Sequence, residues 1–274
     1  MWKDIKTIVL ISVCSAICTA VVFVNPYKGS IDINELILQL SGSSGEFCLG
    51  TSLPELVGFM LRMIPNYIVM MVLGNNVYRY FCTASIYIFS RCPNRHKWYL
   101  RTVFYLLVQI LIYETISVAA VILVTALRYD ILITSNGNFL LGYHILIFTM
   151  WNFAWTLLIN ICAIRKGSSA AFIMAMSIQI FLTVCLSTKN SLQINHAPEN
   201  IISKVISYNP VAHTVVGWHK NIPSSENLVG FQYPIDLSSS IILMLFFCII
   251  VILIGDILIQ THDLILENVE IGVM

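Results

Sequence analysis

The chain has 274 residues, of which 58% are hydrophobic and only 11% charged, whereas soluble domains carry about 25% charged residues. Fifteen basic and 14 acidic residues leave a net charge of +1, so no excess of either sign points to a nucleic acid partner. This composition excludes an ordinary soluble domain and describes an all-α integral membrane protein.

Crossing a hydrocarbon core of roughly 30 Å takes about 20 mostly apolar residues. Six runs meet or approach that length: Ile5 to Val24, Leu56 to Leu73, Val103 to Leu127, Phe139 to Ile164, Ala170 to Ser187 and Leu237 to Ile259. Lipid offers no partners to backbone amides, so these runs are expected as helices. They lack the short-period alternation of a membrane barrel strand. The first run ends in VVFVNPYKG rather than a small-x-small cleavage site, and is read as a retained helix.

After the first run, Asn25 to Glu55 holds a short amphipathic piece, IDINELILQL, and a Gly/Ser turn, SGSSGE. The second run contains Arg62 and, one turn later, Pro65, which is expected to kink it. Asn75 to Thr102 then carries Arg79, Arg91, Arg95, Lys97 and Arg101 with no acidic residue. Within it Val77, Tyr80, Phe81, Ala84 and Ile88 recur at helical spacing as far as the turn signal Cys92-Pro93-Asn94. The expected form is a short helix, a turn, and a basic return to the membrane at Arg95, Lys97, Trp98 and Arg101.

The third run carries Glu114. An ionisable residue within a span costs about 2.5 to 3.5 kcal/mol on insertion scales and needs a reason. Arg62 lies 12 residues before Gly74 and Glu114 lies 12 after Thr102, about 18 Å from one boundary in each case at 1.5 Å per residue. An intramembrane ion pair between them is the expectation. Arg128 to Asn138 is read as a connector only. In the fourth run His144, Asn152 and Asn160 join Trp151 and Trp155, the two amides on one face for packing between helices or for lining a polar path.

RKGSS makes a tight basic hairpin to the fifth run. The long segment Thr188 to Asp236 holds two further candidates: Pro198 to Ser207, with an apolar face of Ile201, Ile202, Val205 and Ile206, and Pro210 to Lys220, with Trp218 placed to anchor it at headgroup level. Asp256, near the end of the last run, reads as a solvated residue.

Six spans put both termini on one side, and basic residues choose the side. With the termini inside, Lys3, Lys6, Arg79, Arg91, Arg95, Lys97, Arg101, Arg165 and Lys166 are cytoplasmic, against Lys28, Arg128, Lys189, Lys204 and Lys220 outside. The whole chain then forms one membrane domain with cytoplasmic termini. Only Cys48 falls in an exterior loop, so no exterior disulfide is expected. No metal site is expected either: Cys82 and Cys92 lack companion histidines, and His213 and His219 do not share a helical face. HExxH, GxSxG and GxxxxGK[ST] are all absent from the sequence. No catalytic residue is proposed, and any use of ATP would need another subunit.

The segment RYFCTASIYIFSRCPNRHKWYLRTVFYLLVQILIYE, with Arg91, Arg95 and Trp98 in an Arg-x-x-x-Arg-x-x-Trp turn, resembles the region that small bacterial ABC-2-type permeases, Gram-positive ones especially, place after their second span. The six-span plan resembles that family over nearly the whole chain. The resemblance implies a permease subunit in the bacterial cytoplasmic membrane, paired with a second copy or a similar permease and bound to two copies of a separate ABC ATPase that holds ATP and Mg. It implies export of a hydrophobic or amphipathic peptide or antimicrobial. It makes Val77 to Cys92 a coupling helix docking on the ATPase, with Val77, Tyr80, Phe81, Ala84, Ile88 and Arg91 in contact. MWKDIK leaves room for barely one turn where the family has an amphipathic first helix. The rival readings are a scaffold or sensor subunit whose basic segment binds anionic lipid or a regulator, and a membrane enzyme.

Overall fold

A computed structural model describes residues 2–24, 29–41, 53–87, 94–187, 207–220 and 235–261. Five of its helices are long and apolar enough to cross a membrane, as a multi-pass membrane protein requires. They are α1 (Trp2–Phe23), α6 (Arg95–Ala126), α7 (Ser135–Lys166), α8 (Ser168–Ser187) and α9 (Leu237–Thr261). The expected run from Leu56 to Leu73 is instead two ten-residue helices, α3 (Leu53–Arg62) and α4 (Ile64–Leu73). The break falls at Met63 rather than at Pro65, because proline suits the first turn of a helix, where its missing N–H has no partner to lose.

Shorter elements join these helices. The amphipathic piece IDINELILQL folds as strand β1 (Ser30–Asp32) followed by α2 (Ile33–Ser41). The connector after α6 contains β2 (Asp130–Leu132), which pairs in parallel with β1, Ile31 opposite Ile131. This segment is therefore more than a link: it ties the loop after α1 to the loop before α7. Helix α5 (Asn76–Tyr87) follows α4 at the opposite end of the bundle.

Helix α7 is the axis of the fold. It packs against α2, α4, α5, α6, α8 and α9, and nearly its whole surface from Phe148 to Ile164 is buried. Its ends are set locally: the Thr134 hydroxyl accepts from the Gly137 amide at 3.2 Å, and Gly167 with φ of 82° reverses the chain into α8. Helix α1 packs mainly on α6. Helix α6 starts at Arg95 rather than Val103, with Asn94 accepting from the Lys97 amide at 3.0 Å as its cap. The basic return to the membrane is thus the first two turns of one continuous helix.

Pro210 to Lys220 does not form an amphipathic surface helix. It is two 3-10 turns, Ala212–Thr214 and Val216–Trp218, and every residue from Val211 to Trp218 is buried. PVAHTVVGW has apolar residues all round and no polar face to show to water, so it fills the end of the bundle, and Trp218 packs in the core instead of anchoring at headgroups. The other candidate of this segment, Pro198 to Ser207, lies outside the described residues except for Ser207 itself.

Candidate functional site

The buried polar groups of α7 form a stripe. Thr149, Asn152, Thr156 and Asn160 lie three or four residues apart, so they share one face, and all four are buried. At its middle, the Asn152 amide donates from Nδ2 to Asn66 Oδ1 at 2.8 Å and to Glu114. One level away the Tyr113 hydroxyl donates to the Pro65 carbonyl at 2.8 Å. These contacts set α6 against α4 so that Tyr113 and Glu114 stand beside Pro65 and Asn66.

That register keeps Glu114 from Arg62. Arg62 lies four residues, about 6 Å at 1.5 Å per residue, nearer the α2 end. Its guanidinium donates to the Gln39 carbonyl at 2.7 Å and stands 5.2 Å from the centre of the Phe23 ring. The expected pair is therefore not formed: Glu114 is held by an amide, and Arg62 by a carbonyl and an aromatic face. Equal distances in sequence misled because the helical register of α6 continues to Arg95, so Thr102 is not its boundary.

Asn160 makes the second junction. Its Oδ1 accepts from the amides of Val77 at 2.8 Å and Tyr78 at 3.2 Å, and its Nδ2 donates to the carbonyls of Leu73 at 3.1 Å and Thr156 at 2.8 Å. One buried side chain thus takes up the start of α5 and the end of α4, which would otherwise be bare backbone groups in an apolar setting. Gly74 lies in this turn, and a Cβ there would meet Ile159 Cγ2 at 3.0 Å, so glycine lets the turn lie close to α7.

Within α5 the apolar stripe faces inward. Val77 and Phe81 are each 1% exposed, and Phe81 lies against Trp98 with ring centres 6.3 Å apart. Expected to fill a partner's groove, these two instead attach α5 to its own bundle, since an i, i+4 apolar pair packs first on the nearest apolar surface. Arg79 and Tyr80 are exposed. The side chain of Ala84, and Ile88 and Arg91 altogether, lie outside the described residues.

The basic start of α6 divides in the same way. Lys97 and Arg101 are exposed, and Arg101 reaches the Tyr105 hydroxyl at 3.3 Å. Arg95 donates to the Ile259 carbonyl at 3.5 Å, while His96 Nδ1 lies 2.8 Å from Asp256, whose other oxygen accepts from Gln260 at 2.9 Å. Asp256 therefore joins the end of α9 to the start of α6.

At the far end of α7, sequence reasoning missed a buried cluster. His213 and His219 both approach the Ser240 hydroxyl, each at 2.7 Å, and Tyr143 stands 3.1 Å from His219 Nε2. His213 Nε2 lies 2.8 Å from the Ser207 carbonyl and His219 Nδ1 lies 2.9 Å from that of Val216. A carbonyl only accepts, so those nitrogens carry the protons and each ring is left with an accepting nitrogen toward Ser240. The hydroxyl has one proton and donates to one ring at a time, while the Tyr143 hydroxyl can donate to His219. Burial lowers the pKa of both rings, pushing His219 down to about 4. The two turns bring together histidines that a single helix would separate, a geometry that residue spacing cannot convey. Ser240 is fully buried, so the cluster is a latch between α7, α9 and the 207–220 segment.

His144, beside Tyr143, packs its ring 4.4 Å from Phe148, and its Nδ1 has no hydrogen-bond partner. Among the described residues no group of three His, Cys, Asp or Glu side chains is placed to hold a metal ion. No family model, curated protein or solved structure matches this chain.

Proposed function

We propose that this chain is the membrane-spanning permease subunit of an ABC-2-type transporter, exporting a hydrophobic or amphipathic peptide with energy from a separate ATPase. In this reading α3 and α4 together make a sixth pass, both termini face the cytoplasm, and α5 is the docking element. Two copies of the permease, or this chain and a similar one, pair with two ATPase subunits that hold ATP and Mg, and the path opens between the permeases.

The observation that carries the proposal is the Asn160 clamp. A helix that ended a pass and merely lay on a membrane surface would need only its apolar face. Here the turn from α4 into α5 is bonded to the most buried helix of the fold by three hydrogen bonds from one side chain. A push on α5 is therefore delivered to α7, and through Asn152 to α4 and α6. Tyr80, 51% exposed, and Arg79 supply the outward face that a partner would grip.

The test is capture of the full chain from its native membrane. A P-loop ATPase should come with it, and the double change Arg79→Glu with Tyr80→Ala should lose that ATPase while Arg101→Glu retains it. Absence of any ATPase, or capture indifferent to the α5 changes, would end the docking reading. Binding of anionic vesicles through Lys97 and Arg101 without an ATPase would favour the scaffold alternative.

A further inference from the structure

Helix α1 and the broken α3–α4 pass do not close on one another along their outer side. Between them runs a cleft of about 480 Å³, walled by α1 from Leu10 to Phe23 and by the other pass from Leu61 to Ile68. That volume lies within the range of about 300 to 1,000 Å³ usual for ligand sites. The α1 wall is roughly 20 Å long at 1.5 Å per residue, and nearly all of the lining is apolar. Its two hydroxyl groups are taken up within the bundle: Ser15 donates to the Ser12 carbonyl and lies 3.1 Å from the Tyr113 hydroxyl, and Thr19 donates to the Ser15 carbonyl.

One end of this cleft differs. Phe23, the last residue of α1, and Leu61 bring the lining up to Arg62, whose guanidinium stands over the Phe23 ring. Arg62 gives one N–H to the Gln39 carbonyl, and among the described residues no carboxylate pairs with it. A guanidinium has five N–H donors in a planar fork that suits a phosphate. A cation with no counterion among the described residues, at the rim of an apolar cleft, is costly to leave so. The position also fits, because Phe23 ends α1 and lies one residue before the end of its apolar run, where headgroups begin in a bilayer.

We infer that this cleft holds one anionic phospholipid of the surrounding membrane, its phosphate on Arg62 and one acyl chain lying along α1 toward Leu10. The inference rests on the chain lying in a bilayer and is independent of the transport reading. Charge complementarity selects the head, and the length and dryness of the cleft select the tail.

The test uses the full chain in bilayers of phosphatidylcholine, with spin-labelled phosphatidylglycerol or phosphatidylcholine as the probe. The immobilised fraction should favour phosphatidylglycerol by about fivefold, the contribution of one basic residue near an anionic headgroup. Arg62→Gln should bring the two lipids to parity, and Arg62→Lys should keep most of the preference. Cys18→Trp fills the cleft from an exposed position on α1 and leaves Arg62 intact. It should remove one immobilised lipid per chain. Equal association of both probes with the unaltered chain, or a preference that survives Arg62→Gln, would overturn the inference. So would oxidation that joins two copies through Cys14 or Cys18, since a second copy would then occupy the cleft.

Discussion

Replacing Asn160 with leucine keeps the volume of the side chain and removes all of its polar contacts. Three of these leave α7: the Val77 amide at 2.8 Å, the Tyr78 amide at 3.2 Å and the Leu73 carbonyl at 3.1 Å. A hydrogen bond is worth about 0.5 to 1.5 kcal/mol net in water-soluble proteins, and about 0.6 kcal/mol on average between transmembrane helices. Val77 is 1% exposed, so water cannot take over its amide. The expected loss is therefore about 2 to 4 kcal/mol. Much of that loss should appear locally, as opening of the α4–α5 junction. Hydrogen exchange followed by mass spectrometry should show the peptide covering Leu73 to Phe81 exchanging about 30-fold faster or more, which is what about 2 kcal/mol means for an opening equilibrium. Asn160→Asp retains an acceptor for the two amides and loses one of the three contacts that leave α7, the donor to Leu73, so at least a third of the effect should remain. If Asn160→Leu leaves exchange in that peptide unchanged, the clamp is not what holds α5.

Acid should loosen the latch at the other end. His219 takes its proton at about 4 when folded, against an ordinary value of 6.5, so between those values the unfolded chain binds more protons. Stability is then lost as pH falls through 6.5 and down to about 4, by roughly 3 kcal/mol for this residue. Comparing unfolding of the chain and His219→Gln across that range should show the variant losing less, and parallel curves would refute the assignment. A Cβ on Gly255 would run into the Tyr99 hydroxyl. Gly255→Ala should cost about 1 to 3 kcal/mol by overpacking, and a double-mutant cycle with Tyr99→Phe should recover part of it; strict additivity would argue against direct contact. Glu114→Gln leaves an acceptor for Asn152 and should be tolerated, whereas Glu114→Leu leaves one of the two N–H groups of that buried amide unpaired, the other staying on Asn66, and should lower the melting point by the equivalent of about 1 to 3 kcal/mol. Equal melting of the two variants would show that the contact with Asn152 is unimportant.

The apolar runs were legible because a helix in lipid has one requirement, continuous hydrophobicity, and five of the six appear as single long helices. The sixth was legible in extent and not in form: Pro65 announced a disturbance, but whether proline kinks a helix or opens a new one depends on the neighbouring backbone. Asn152 and Asn160 stood out as amides on one face. Their partners did not, because Asn66 is an ordinary residue in a short helix, and the Val77 amide carries no mark in the sequence. The stripe could have been extended to Thr149 and Thr156 by counting threonines at the same spacing. The direction of α5 was misjudged for a general reason: helical spacing shows that Val77 and Phe81 share a face and is silent about what covers that face. His213, His219 and Ser240 meet through two turns and a helix start, and neither period nor motif relates them.

The position of α7 in the chain also bears on how the protein is made. Asn66 and Glu114 are synthesised well before Asn152, and so are the open backbone groups at Leu73 and Val77 before Asn160. Until the fourth long apolar run arrives, a growing chain must keep a carboxyl group and two amide-bonding sites in or beside lipid with their eventual partners still inside the ribosome. Such a chain should dwell on whatever assists insertion, and fragments ending before Ser135 should be cleared by membrane proteases.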